Sequence, residues 1–77
     1  MNDIPTYRKD MTLSEFSRAQ EIAVNAIAEE ARRYLRVGGF EDFDKWWRWI
    51  SKENPYLKGV SRREFEAAIN GTPFSNH

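Results

Sequence analysis

A chain of 77 residues fits one domain with a small core, because a domain this short hides only about 60% of the surface that its unfolded chain exposes. Twelve basic and twelve acidic residues cancel, which argues against non-specific phosphate binding as the main task. The absence of cysteine removes disulfides, thiolate nucleophiles and thiolate metal sites, and Met1 to Asp10 lacks the apolar stretch of a signal peptide, so the expectation is a cytoplasmic protein.

No run approaches the roughly 20 apolar residues of a membrane span, so no membrane role is expected. The eleven aromatic residues (three Trp, three Tyr, five Phe) are a heavy load for so small a core. Each can bury roughly 150 to 250 Å². Either they nearly fill the core or some of them face a partner.

Residues 1–11 read as an N-terminal tail. The first helix is predicted over 13–37, with Thr12 and Glu15 at capping-box spacing and Met11 and Phe16 at staple positions. On a helical wheel Leu13, Phe16, Ala23, Ala31 and Tyr34 fall within about 40° of Ile27, which defines a core stripe. Gly38 and Gly39 stop the helix. Arg32, Arg33 and Arg36 form the densest basic group and suit the negative end of the helix dipole, or an acidic partner surface. A second strip of Ala19, Ile22 and Ala26 could be filled by another helix or serve as a homodimer seam.

The second helix is predicted over 40–53, with carboxylates at Glu41, Asp42 and Asp44 in its first turns and Asn54-Pro55 at its end. Phe43, Trp46, Trp47 and Ile50 repeat at the spacing of one buried face. Trp49 lies outside the centre of that stripe, beside the exposed direction of Lys45 and Arg48. It either packs under the Pro55-Tyr56-Leu57 loop or anchors a partner.

The third helix is predicted over 62–70. Ser61 and Glu64 repeat the capping box, Val60 and Phe65 the staple, and Asn70-Gly71 the stop. Phe65, Ala68 and Ile69 supply its apolar face. Residues 72–77 read as a C-terminal tail on which Phe74 could dock. The expected architecture is all-α: one long helix with two shorter ones packed on it, folding as a three-helix domain over 12–71. Phe16, Ile27, Tyr34, Phe43, Trp47, Ile50 and Phe65 are expected to be substantially buried.

No residue set forms a catalytic, metal or cofactor motif. His77 has no co-ligand or base fixed beside it, and the serines lack a Gly-x-Ser-x-Gly setting. Gly38-Gly39 lacks the Lys and Ser or Thr of a phosphate loop. Asn70-Gly71-Thr72 matches the glycosylation triplet, but its Asn-Gly already serves as a helix stop.

The segment from Gly59 to Gly71 resembles the recognition helix of LacI-type repressors, where Gly-Val-Ser opens the helix and an apolar pair followed by Asn closes it, as Gly59, Val60, Ser61 and Ala68, Ile69, Asn70 do here. The resemblance implies DNA binding with Arg62, Arg63 and Glu66 toward the major groove. The family's small alanine four residues before that glycine is Pro55 in this chain.

Two functions therefore stand as expectations, neither of them enzymatic and neither needing a cofactor. The leading one is a small intracellular protein-binding module, an adaptor or stoichiometric inhibitor, with Trp49, Arg48, Arg32, Arg33 and Arg36 as its working surface. Compact cysteine-free domains of this kind are common among accessory proteins of phages and mobile elements. The alternative is a DNA-binding regulator using the Ser61 to Asn70 helix.

Overall fold

Three helices and no strand make up the computed structural model, which describes residues 4–76: α1 (Leu13–Arg36), α2 (Phe43–Glu53) and α3 (Arg62–Ile69). This is the small all-α domain that periodicity and capping predict. Both capping boxes form. Thr12 Oγ1 accepts from the Glu15 N–H at 3.1 Å while Glu15 Oε1 accepts from the Thr12 N–H at 3.0 Å, and Ser61 and Glu64 do the same. Two otherwise orphaned amides are satisfied at each start.

Both glycine stops close by the same hydrogen-bond pattern. At the end of α1 the Gly38 N–H donates to Leu35 O and the Gly39 N–H to Tyr34 O, with Gly38 at φ 71°. At the end of α3 the Gly71 and Thr72 amides donate to Ala68 O and Ala67 O. The second helix starts three residues later than its carboxylates suggest. Asp42 is the true cap, its side chain accepting from the Lys45 N–H at 3.0 Å, and residues 40–42 belong to the link between α1 and α2, which spans 37–42.

α1 is the spine. Its 24 residues give a length of about 36 Å, close to the 38 Å long axis of the molecule. Val24, Ile27, Ala28 and Ala31 line its buried face, where the alanines let α3 approach through Ala68 and Ile69. α2 adds Trp47, stacked on the fully buried Phe65 of α3 with ring centroids 4.8 Å apart. Leu57, Val60 and Phe74 complete this core from outside the helices. A second cluster joins Ala19, Ala23 and Tyr56, with Met11 and Phe16 packed against it.

Three polar side chains of α1 each hold the backbone of a different segment. Gln20 Nε2 donates to Tyr56 O at 2.8 Å, in the α2–α3 connector. Asn25 bonds both the N–H and the C=O of Phe74. Arg32 donates from Nε to Ile69 O at 2.7 Å and from Nη2 to Ala68 O at 3.2 Å. Backbone groups of the connector, the C-terminal segment and the end of α3 are thereby satisfied without regular structure between them.

Several expectations are corrected. Of the seven residues expected in the core, Ile27, Trp47 and Phe65 are buried, Phe16, Phe43 and Ile50 are half-buried, and Tyr34 is 54% exposed. Leu13 is exposed as well. Both lie on the buried side of the wheel, but at ends of α1 that outrun what packs on it. The flanking segments also reach the core, Phe74 by the docking that its sequence position allowed. Phe74 is buried in the main cluster, and Tyr7 meets the rings of Phe16 and Tyr56 edge-on. The strip Ala19, Ile22, Ala26 is not a continuous open seam either: Ala19 is buried beside Tyr56, Ala26 is half-buried, and Ile22 stands exposed. Among the described residues no helix is long and apolar enough to cross a membrane. His77 lies outside the described residues.

Candidate functional site: an aromatic ridge at the surface

The turn between α1 and α2 brings together aromatic rings from the end of the α1 stripe, the link and the start of α2. Gly39 carries no Cβ, and one added there would sit 2.7 Å from Tyr34 Cδ1, so the bare backbone lets the tyrosine ring lie across the turn. Tyr34 then meets Phe40 at 5.5 Å between centroids, and Phe40 meets Trp46 at 4.9 Å. Trp49 follows Trp46 by three residues, hence as its neighbour on the same helix surface. Ring contacts join Tyr34, Phe40 and Trp46, and helical spacing alone extends this ridge to Trp49; Tyr34 and Trp49 are exposed at its ends, while Phe40 and Trp46 are half-buried against the main core cluster.

This ridge is tied to the core. Trp46 stacks on Phe43 at 5.5 Å and meets Phe65 at 5.9 Å, and Phe65 is fully buried under Trp47. Large side chains held this way lose little rotamer freedom when something binds them. The middle of the ridge, Phe40 and Trp46, is therefore held in place by the core. Among the described residues no group of three or more His, Asp or Glu is placed to hold a metal ion.

The five residues proposed from the sequence as a partner surface do not form one group. Trp49 is 57% exposed, and Tyr56 and Leu57 of the Pro55-Tyr56-Leu57 loop turn into the two cores. Arg48 is exposed on the adjoining face of α2 and makes no ion pair among the described residues. Arg32 is half-buried and committed to the last carbonyls of α3, where a cation is favoured. Arg33 pairs with Glu30 at 2.6 Å. Arg36 is exposed and unpaired beside a shallow depression of about 560 Å³ that it lines with Arg32, Leu35 and Ile69.

On α3, Arg62 is held by Glu66 at 2.7 Å, by Asp44 and by the ring of Phe43, 5.4 Å from its guanidinium carbon. Hydrogen bonds first to Glu66 and then to Asp44 raise its pKa above the usual arginine value. Arg62 and Glu66 thus brace α3 against the start of α2, and Arg63 is left exposed and unpaired. The connector between α2 and α3 spans 54–61 and buries Tyr56, Leu57 and Val60, whereas a DNA-reading helix-turn-helix uses a turn of about three or four residues.

Sequence reading missed Tyr34 as a surface residue because periodicity assigns its position to the core, whereas Trp46, half-buried against the main core cluster, sits where its place in the α2 stripe puts it. The available signal was the clustering of aromatics on both sides of Gly38-Gly39. Comparison with protein families, with curated proteins and with solved structures found no match to this chain.

Proposed function

We propose that the chain is a small protein-binding module that acts by stoichiometric contact, with the ridge Tyr34, Phe40, Trp46 and Trp49 as its contact surface and Arg48 beside it. The observation that carries this reading is Trp49, an indole 57% exposed at the end of a ridge anchored through Trp46 to buried Phe65. Leaving such apolar area in water forgoes roughly 25 cal/mol per Å², and exposed, rigid Trp, Tyr and Arg are the residue types that dominate binding energy at interfaces. The lack of cysteine fits action inside the cell. The internal commitments of Arg62 and Glu66 support this reading over DNA recognition by α3.

The test is affinity capture from the native host with the wild type and with the Tyr34→Ala, Trp49→Ala double variant, followed by titration against the recovered partner. The variant should fold and lose at least about 2 kcal/mol of binding. Undiminished capture by a folded double variant would sink the assignment of the ridge.

A further inference from the structure

The outer face of α2 carries a second feature that the ridge alone does not explain. Lys45, Arg48 and Lys52 fall within about 30° of the direction opposite the buried stripe, at the i, i+3, i+7 positions of one helix surface, with Trp49 on the border between them and Trp46. All three cations are exposed, and none has an ion-pair partner among the described residues. Unpaired cations such as Arg36 and Arg63 stand elsewhere on the surface, and what sets this face apart is that three of them line up along one helix surface beside an exposed indole.

We infer that this face docks an acidic amphipathic helix of a partner protein, whose carboxylates meet Lys45, Arg48 and Lys52 while its apolar side chains rest on Trp49 and Trp46. The inference rests on the protein-binding reading of the ridge and adds the chemistry of the partner. Charge complementarity selects an acidic occupant, and the spacing selects a helix. Lys45 to Lys52 spans roughly 10 Å, two turns, so carboxylates at i, i+3 or i+4, and i+7 on a second helix repeat at the same interval.

A nucleic-acid strand fits less well. The row offers three cations where polyanion recognition commonly draws on roughly six to ten phosphate contacts. Exposed Glu41 before the row and Glu53 after it would repel a phosphate backbone at both ends, and the chain as a whole is neutral. A helix can turn its own carboxylates toward the row and set neutral side chains opposite Glu41 and Glu53, which a uniformly charged phosphate backbone cannot do.

The test uses the full chain, isotopically labelled, and three probes at about 0.05 M salt. One is a synthetic helical peptide of about 16 residues with glutamates at i, i+4 and i+7 and leucines on the adjoining face, the second is its glutamine analogue, and the third is an oligothymidine of similar length. The acidic peptide should shift the amide signals of residues 45–52 and the Trp49 indole N–H, and bind about ten-fold tighter than the glutamine analogue. Lys45→Glu with Arg48→Glu and Lys52→Glu, checked for an unchanged amide spectrum elsewhere, should abolish that preference. Equal binding of the two peptides at the ridge overturns the acidic assignment and leaves the protein-binding reading standing. Tighter binding of oligothymidine overturns it in favour of a nucleic acid. No shift at the ridge with any probe overturns the inference, and the titration against a recovered partner then decides the underlying reading separately.

Discussion

Asn25 holds the backbone of Phe74 at both ends of its carboxamide, Nδ2 donating to Phe74 O at 3.0 Å and Oδ1 accepting from the Phe74 N–H at 2.7 Å. The pairing imitates one rung of a sheet, supplied by a helix side chain, and it lets an irregular segment deliver a phenyl ring to the core without orphaned backbone groups. Two substitutions should report it. Phe74→Ala should cost about 3 to 5 kcal/mol through the lost ring and its cavity. Asn25→Ala should cost about 1 to 3 kcal/mol, since two part-buried backbone groups lose their partner. Denaturant melts measure both. A neutral Asn25→Ala would mean that water replaces the amide without penalty.

The arginines near the end of α1 should separate by role. Arg32 binds two carbonyls at the end of α3, so Arg32→Ala should destabilise by about 1.5 to 3 kcal/mol, the range for hydrogen bonds made by a charged group. Arg36 is exposed and unpaired, and its removal should stay within about 0.5 kcal/mol. Equal effects in thermal melts would show that the cluster acts only as a diffuse charge on the dipole of α1.

Tyr56 offers a prediction of opposite sign. Its ring is buried between Phe16, Tyr7 and the alanines of α1, while its hydroxyl is buried without a hydrogen-bond partner. Burying an unpaired hydroxyl costs roughly 1 to 3 kcal/mol. Tyr56→Phe keeps the ring and removes that cost, so the variant should be more stable by about 1 kcal/mol. A clear loss of stability would reveal a partner for the hydroxyl, such as a bound water.

Local chemistry was the legible part of this chain. Thr12 with Glu15 and Ser61 with Glu64 announce two helix starts because each box is completed within four residues. The orientation of α1 was legible too, since Ala23, Ile27 and Ala31 lie where the wheel puts them. Its extent of burial was not. Periodicity gives direction around an axis and says nothing about where along it the neighbours end, which is why Leu13 and Tyr34 share the stripe and yet meet solvent. The contributions of Tyr56, Leu57, Val60 and Phe74 lay further out of reach, because irregular segments have no period to read and their placement depends on distant groups such as Gln20 and Asn25. The ridge follows from the same gap: Tyr34 and Phe40 meet only because of the path that Gly38 and Gly39 give the turn.

Trp47 and Trp49, two residues apart on α2, should behave as opposites. Residues i and i+2 of a helix point about 160° from each other at 100° per residue. Trp47 goes into the core, 8% exposed and stacked on Phe65, so Trp47→Ala removes a buried aromatic and should cost about 3 to 5 kcal/mol, a large share of the stability of so small a domain. Trp49, 57% exposed, leaves little behind when truncated, and alanine suits a helix interior better, so Trp49→Ala should change stability by about 1 kcal/mol or less. Iodide quenching, compared between the wild type and Trp49→Ala, separates the two, with half-buried Trp46 expected between them. Trp49 should be readily quenched by the anion, which the neighbouring Lys45, Arg48 and Lys52 attract, while Trp47 should be shielded. Trp49→Ala should therefore remove most of the quenchable fluorescence and leave the melting curve nearly where it was. If it instead lowered the melting temperature as far as Trp47→Ala does, Trp49 would be a structural residue, and the ridge would lose the end on which its binding role depends.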